Sequence, residues 1–261
     1  MRWLADGEPH VPDGRDWLSA GELRRLAGFR FTKPHNEFLV RRWTSKRAVA
    51  SALDLTDDDE QLRRVEISNR PSGAPFVLVD GEAAPVDVSL TDRAGWAVCL
   101  VGEPGSFRSG TLGVDLEIVE PRSPGFLADF LTPTEQAVVA RAAGADEADA
   151  DEADALANLH WSAKEAALKV LQLGLRVDTH RVHVTLDAQP VWTGWNTLSV
   201  EALDQHFPGY WRRFGQFVLT VCFAPGGRPD SPPALLHGGA DLTAAEPMHT
   251  WVQRPLVGGG Q

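Results

Sequence analysis

Asp115 and Glu117 stand two residues apart in the apolar run 111–119 (TLGVDLEIV). In a strand that spacing sends both side chains out of one face. Two carboxylates on one face of an apolar strand cost stability unless something neutralises them. A hard divalent cation with oxygen ligands is the natural partner. A solvated edge strand explains the pair equally well when it is taken alone. The second group is Trp161-Ser-Ala-Lys-Glu-Ala-Ala-Leu-Lys169, which reads as helix. Residues four apart stack on one helix face, so Trp161, Glu165 and Lys169 form a stripe with Lys164 and Leu168 beside it. The chain has four lysines against 21 arginines, and two of the four lie in these nine residues. A compact ammonium suits phosphate oxygens. An exposed Glu–Lys pair is the plainer alternative.

A third group is basic. Between Glu22 and Arg47 lie Arg24, Arg25, Arg30, Lys33, Arg41, Arg42, Lys46 and Arg47, against Glu22 and Glu37. On a chain of net charge −11 this cluster points to a specific anion site rather than to general polyanion affinity. A solvated Arg-rich helix would also produce it.

The elements that must position these groups are legible from period and punctuation. Helices are expected over 19–29 and 34–54. Ser19 and Glu22 form a capping box at the first start, and Phe38, Val49 and Leu53 give the second an apolar face. Strands are expected at 63–68, 76–79, 86–90, 96–101 and 111–119, separated by turn-forming segments such as RPSGAP and TDRAG. Thr132-Pro133-Thr134-Glu135 starts a helix that ends near Ala143. The acidic 145–154 stretch reads as a loop or the start of the next helix, which covers 155–172. Strands follow at 181–186, 198–203 and 214–223. After Ala224, Pro and Gly dominate, so 225–261 reads as a loose tail or linker. Two helix-then-strand passages, ending in WAVCLV and FVLTVCFA, suggest two similar α+β halves, 1–108 and 109–224.

Composition bounds the function. The 261 residues are 43% hydrophobic and 23% charged, as in a globular chain of one large domain or two modest ones. No apolar run approaches the roughly 18 residues of a membrane span. Residues 1–10 carry Trp3, Asp6, Glu8 and Pro9 and lack a signal-peptide core. Cys99 and Cys222 each sit in an apolar run, as buried thiols do in a reducing compartment. The acidic balance disfavours nucleic-acid and anionic-membrane partners. The expectation is a soluble, cytoplasmic monomer.

Taken together, G-V-D-L-E at 113–117 and W-S-A-K-E-A-A-L-K about 45 residues later resemble the 4′-phosphopantetheinyl transferases of the large, Sfp-like class. F-L-T-P-T-E at 130–135 is similar to the segment that family has between them. The resemblance is good over 111–178, looser over 22–110 and 179–223, and absent from the tail. It implies two similar α+β halves side by side about a pseudo-twofold, with coenzyme A in the cleft between them. It implies transfer of phosphopantetheine from coenzyme A to a serine of an acyl or peptidyl carrier protein, releasing adenosine 3′,5′-bisphosphate. Such proteins serve fatty-acid, polyketide and non-ribosomal peptide synthesis.

The same resemblance implies roles. Asp115, Glu117 and Glu165 would ligate Mg²⁺, and Lys169 would contact the coenzyme A phosphates. Glu165, or a water it orients, would be the base for the serine hydroxyl. Lys164, Arg30, Lys33, Arg42 and Lys46 would meet the nucleotide phosphates, and Trp161 would pack its helix onto the core. Two departures stand out. Gly73-Ala74-Pro75 replaces the family's G-K-P, leaving Arg70 as the nearest substitute, and Ser89-Leu90-Thr91-Asp92 puts an acid where the family has histidine. These departures favour an alternative, a family member that binds coenzyme A or carrier protein without transfer. A metal-carboxylate nuclease fits three acids and a lysine but not the acidic surface.

Overall fold

The computed structural model describes residues 1–105, 111–144, 146–187, 191–227 and 229–248. The fold is mixed α+β, with six α-helices and three sheets among the described residues. The chain divides into two units: Met1–Ser109 with Pro233–Ala240 and Glu246–Gln261, and Gly110–Pro232 with Asp241–Ala245. No helix among the described residues is long and apolar enough to cross a membrane.

The first unit begins with a strand that the sequence reading did not anticipate, β1 (Arg2–Gly7). Helices α1 (Ala20–Leu26), α2 (Thr32–Ala52) and α3 (Asp59–Arg64) follow. Then come β2 (Val65–Asn69), β3 (Pro75–Val79), β4 (Glu82–Ala83), β5 (Val88–Arg93) and β6 (Trp96–Val101). Strands β2, β3 and β4 form one antiparallel sheet, and β1, β6 and β5 the core of another. The capping box at Ser19 forms: Glu22 N donates to Ser19 Oγ at 3.1 Å, and Ser19 N donates to Glu22 Oε2 at 3.0 Å. Glu22 is buried beneath α2, and there it organises the basic helix. Lys46 Nζ lies 2.5 Å from Glu22 Oε2, and Arg42 Nε lies 3.5 Å from Glu22 Oε1.

Residues 234–248 are not the loose tail that their composition suggested. Ala234–Leu235 runs parallel to β1, extending its sheet with Arg2 opposite Ala234 and Trp3 opposite Leu235. Leu236 enters the apolar core of this unit. Met248 N donates to Ala94 O, and Trp96 Nε1 donates to Glu246 O, both at 2.8 Å. Pro and Gly remove regular period, but scattered apolar residues and edge pairing still anchor the segment. Residues 249–261 lie outside the described residues.

The second unit opens with β7 (Leu112–Ile118), then α4 (Pro124–Phe130), α5 (Pro133–Ala142) and α6 (Glu147–Leu171). Strands β8 (Val182–Leu186), β9 (Asn196–Ala202), β10 (Gln205–Phe214) and β11 (Phe217–Phe223) complete it. The sheet is antiparallel throughout, in the order β7-β11-β10-β9-β8. Every residue of β11 is buried, because that strand is inside the sheet and lies under α6. Of the two readings of the acidic stretch, loop or start of the next helix, the second holds from Glu147 onward. Asp146 caps it by accepting from Asp149 N at 2.9 Å, and acids in the first turns suit the positive end of the helix dipole. Arg213 also holds Asp151 with its Nη1 and Nη2, at 2.6 and 2.8 Å.

Small residues bring α6 unusually close to β7. A Cβ added to Gly113 would lie 1.9 Å from the Ala166 carbonyl oxygen. Gly113 is thus required by close approach of a helix backbone, the usual reason for a glycine inside a strand. Ala163, Ala166 and Ala167 are fully buried on the same helix.

Candidate functional site

The site is built where β7 meets α6. On β7, Asp115 and Glu117 alternate with Val114, Leu116 and Ile118, and all five are buried. Asp115 pairs in register with Thr220 of β11, whose hydroxyl is 2.8 Å from Ser162 Oγ on α6. This buried hydroxyl pair pins the helix to the sheet, fixing the rotation that presents Glu165 and Lys169.

The structure brings Asp115, Glu165 and Lys169 together. Lys169 Nζ donates to Asp115 Oδ1 at 2.8 Å and to the Val114 carbonyl oxygen at 2.7 Å. That lysine is no surface partner of Glu165: its ammonium contacts Asp115, an acid of the cluster. Glu165 Oε1 is buried and finds no hydrogen-bond partner among the described residues. Burial first and the Asp115 charge second push the Glu165 carboxyl up to about 7, with Lys169 pulling it down. An orphaned buried carboxylate oxygen beside a second acid fits a hard cation in donor chemistry. The described residues do not, however, gather three or more His, Cys, Asp or Glu in an arrangement that could hold a metal ion.

Glu117 is engaged elsewhere. Arg122 Nη2 donates to its Oε2 at 2.8 Å, and Trp161 Nε1 donates to its Oε1 at 3.2 Å. Trp161 packs edge-on against Phe126 and Phe130, with centroids 5.4 and 4.8 Å away, as a core-facing tryptophan should. Arg122 and its support Asn158 were not singled out from sequence. The signal available was only a basic residue shortly after the acidic strand.

Lys164 was expected at the nucleotide phosphates. The structure commits it to the fold. Its ammonium is fully buried and donates to Phe130 O (2.9 Å) and Thr179 O (2.8 Å), and it lies 2.8 Å from Glu135 Oε2. An ammonium has three donors, so none remains for a phosphate. Burial pulls this lysine down from its ordinary value, and Glu135 raises it again. Glu135 also completes the Thr132 capping box, accepting from Thr132 N at 2.8 Å, and accepts from Val184 N at 2.9 Å. The sequence revealed that glutamate only as a cap.

The basic candidates of the first unit separate in the same way. Arg42 and Lys46, also expected at phosphates, are buried on Glu22, and Arg42 lies over the Phe38 ring at 4.7 Å. Burial lowers both from their ordinary values, Arg42 to about 10. Arg30 is exposed. Lys33 lies 3.7 Å from Glu37, and Arg70 is exposed over Phe76 at 5.2 Å. Ser89 is buried in β5. Asp92 pairs with Arg41 at 2.9 Å, so the acid at the family's histidine position is neutralised by a partner not foreseen. A cavity of about 540 Å³ lined by His180, His183, Glu201 and His206 lies on β8–β10 and includes none of the acidic cluster.

A family model falls on the same segment. Residues 111–222 match the family model of the 4′-phosphopantetheinyl transferase superfamily. A phosphopantetheinyl transferase of Thraustochytrium sp. is 27% identical over 179 residues, covering 66% of this chain. The match spans 58% of that relative's own length. The part of this chain that carries Asp115, Glu165 and Lys169 is thus similar to the 4′-phosphopantetheinyl transferase superfamily.

Proposed function

We propose that this protein transfers the 4′-phosphopantetheine group of coenzyme A to a serine hydroxyl of an apo acyl or peptidyl carrier protein. The serine oxygen bonds to the phosphorus bearing pantetheine, and the P–O bond to adenosine 3′,5′-bisphosphate breaks. What carries the reading is the meeting of Asp115, Glu165 and Lys169 inside the segment that matches the transferase superfamily. Asp115 and Glu165 would hold Mg²⁺, with Glu117 the third acid that the sequence motif supplies. The cation's contribution would be to neutralise charge on the phosphates.

The chain's own residues supply the rest. Lys169, 29% exposed at its side chain, can turn from Asp115 toward a phosphate oxygen that gains charge as the leaving bond breaks. Glu165, or a water it orients, is the candidate for taking the serine proton. Arg30, Lys33 and Arg70 are the candidates for the nucleotide phosphates, since Arg42, Lys46 and Lys164 are committed to buried carboxylates.

Incubation with coenzyme A, Mg²⁺ and a panel of apo carriers tests the proposal. One carrier should gain the mass of a single phosphopantetheine. No gain with any carrier, where a control enzyme succeeds, overturns it. Calorimetric binding of coenzyme A without such a gain would identify the binding-only alternative, which Ala74 and Asp92 in place of the family's lysine and histidine favour.

A further inference from the structure

Strands β8, β9 and β10 carry a row of donors on the sheet face turned away from α6. His183 of β8 stands directly opposite Glu201 of β9, and Glu201 directly opposite His206 of β10. Their neighbours along the strands, Val182, Val200, Ala202 and Phe207, enter the buried core with residues of α6. Alternation therefore turns His183, Glu201 and His206 together to the other face. The register that aligns them is fixed at two places. The β9–β10 hairpin has only Leu203 and Asp204 in its loop, both in the left-handed region at φ 51° and 59°. A two-residue loop of that kind sets hairpin register, so Glu201 and His206 stay opposite. Val182 pairs with Ala202, both buried, and a slip there would carry core residues into solvent.

The three side chains are exposed, and none makes a hydrogen bond or ion pair among the described residues. They line the cavity on β8–β10 with Asp204 and Arg181, whose charges with that of Glu201 sum to a net negative. His180 beside them is committed: its Nδ1 lies 3.3 Å from Asp178 Oδ1 and its Nε2 3.0 Å from Ala128 O. As they stand, the tips of the row do not converge on one point. Rotation about χ1 and χ2 of unpartnered, exposed side chains is enough to bring them together. Adjacent strands are about 4.8 Å apart, so an ion above Glu201 lies about 5 Å to the side of each histidine. An imidazole ring and a metal–nitrogen bond of about 2.1 Å cover that span. Two imidazoles and one carboxylate form a donor set for Zn²⁺ with a fourth position left to water, whereas Mg²⁺ prefers oxygen alone.

We propose that His183, Glu201 and His206 form a surface site for Zn²⁺, or a divalent ion of the same borderline character, separate from the acidic cluster. No residue of this site belongs to the transferase reading, so the two are tested independently.

Calorimetric titration of the untagged full chain with Zn²⁺, in excess Mg²⁺ to compete for carboxylate-only sites, tests the proposal. One Zn²⁺ should bind per chain. Losing an outer partner of a ligand typically costs about 10–100-fold in affinity, so losing a ligand itself should cost at least tenfold. His183→Ala and His206→Ala should each raise the Kd at least tenfold, and Glu201→Gln at least threefold. His180→Ala, the neighbouring control, should stay within about threefold. Zn²⁺ should also raise the melting temperature of wild type and not that of the His183→Ala/His206→Ala double variant. Melts in chelator check the fold, and His183→Gln and His206→Gln replace any alanine variant that folds poorly. Absence of Zn²⁺ binding by wild type overturns the proposal. So does a smaller loss than stated in any of the three ligand variants, or a loss in His180→Ala equal to theirs.

Discussion

Lys169 Nζ lies 2.8 Å from Asp115 Oδ1, across 54 residues of chain. The ion pair joins α6 to β7 and offsets the charge that Asp115 presents to Glu165. It also means that a bound phosphate or cation would have to share or displace an existing partner.

Replacing Lys169 tests that position. An interaction that strengthens in the transition state appears in kcat, and uniform binding appears in KM. Lys169→Ala should lower kcat by about 10²–10³, the scale of other preorganised charge deletions. Lys169→Arg should rescue part of the loss, because the guanidinium is bulkier and differently placed. Steady-state kinetics with saturating carrier decides. A kcat within about threefold of wild type, ~0.65 kcal/mol of barrier, removes Lys169 from the mechanism.

Lys164 should behave oppositely. Lys164→Met leaves Glu135 buried with its cation gone, a change that typically costs about 3–5 kcal/mol. Urea unfolding should show that loss, while the KM for coenzyme A stays near wild type below the melting range. Unchanged stability with a raised KM would place Lys164 at the phosphates instead.

Gly113 carries a steric prediction. With the new Cβ at 1.9 Å from Ala166 O, Gly113→Ala must lift α6 from β7. Overpacking of this kind costs about 1–3 kcal/mol. It would also move Glu165 and Lys169 away from Asp115. Both the melting temperature and transfer should fall. Wild-type transfer in a variant of unchanged melting temperature contradicts the account.

The Glu165 carboxyl makes stability depend on pH in a stated direction. Its folded-state value, about 7, is above its ordinary 4.5, so the folded protein keeps a proton that the unfolded chain has lost. The stabilising contribution is full below about 4.5 and is lost as pH rises through about 7. Between pH 5 and 8, metal-free wild type should lose on the order of 2 kcal/mol relative to Glu165→Gln. Asp6, raised by burial to about 6, shifts in the same direction but is common to both proteins and cancels in the difference. Urea unfolding in chelator at several pH values measures this. A difference that does not change with pH would show that Glu165 is not so burdened.

The sequence alone determined the features that act over a few residues. The capping boxes at Ser19 and Thr132 form as their spacing required, because a cap is satisfied by backbone three positions away. The strand carrying Asp115 and Glu117 was legible from its apolar period, and the helix carrying Glu165 and Lys169 from residue 155 onward. Its earlier start was one of two readings of the acidic stretch, loop or helix start, because composition alone does not separate them while helix favours acids in its first turns. Strand β1 gave too little alternation to be seen, and the pairing of Ala234–Leu235 onto it depends on residues more than two hundred positions away.

Only tertiary structure decided the partners. Lys164 and Lys169 are the same residue type on one helix, yet one is buried on Glu135 and the other meets Asp115. That choice follows from the rotation of α6 against β7, set by Gly113 beneath Ala166 and by the Ser162–Thr220 pair. Likewise, Asp115 and Glu117 share a strand face, but Arg122, aimed by Asn158, reaches only one of them. Charge and spacing along the chain are local properties. Which charges meet is fixed by how closely two backbones can approach.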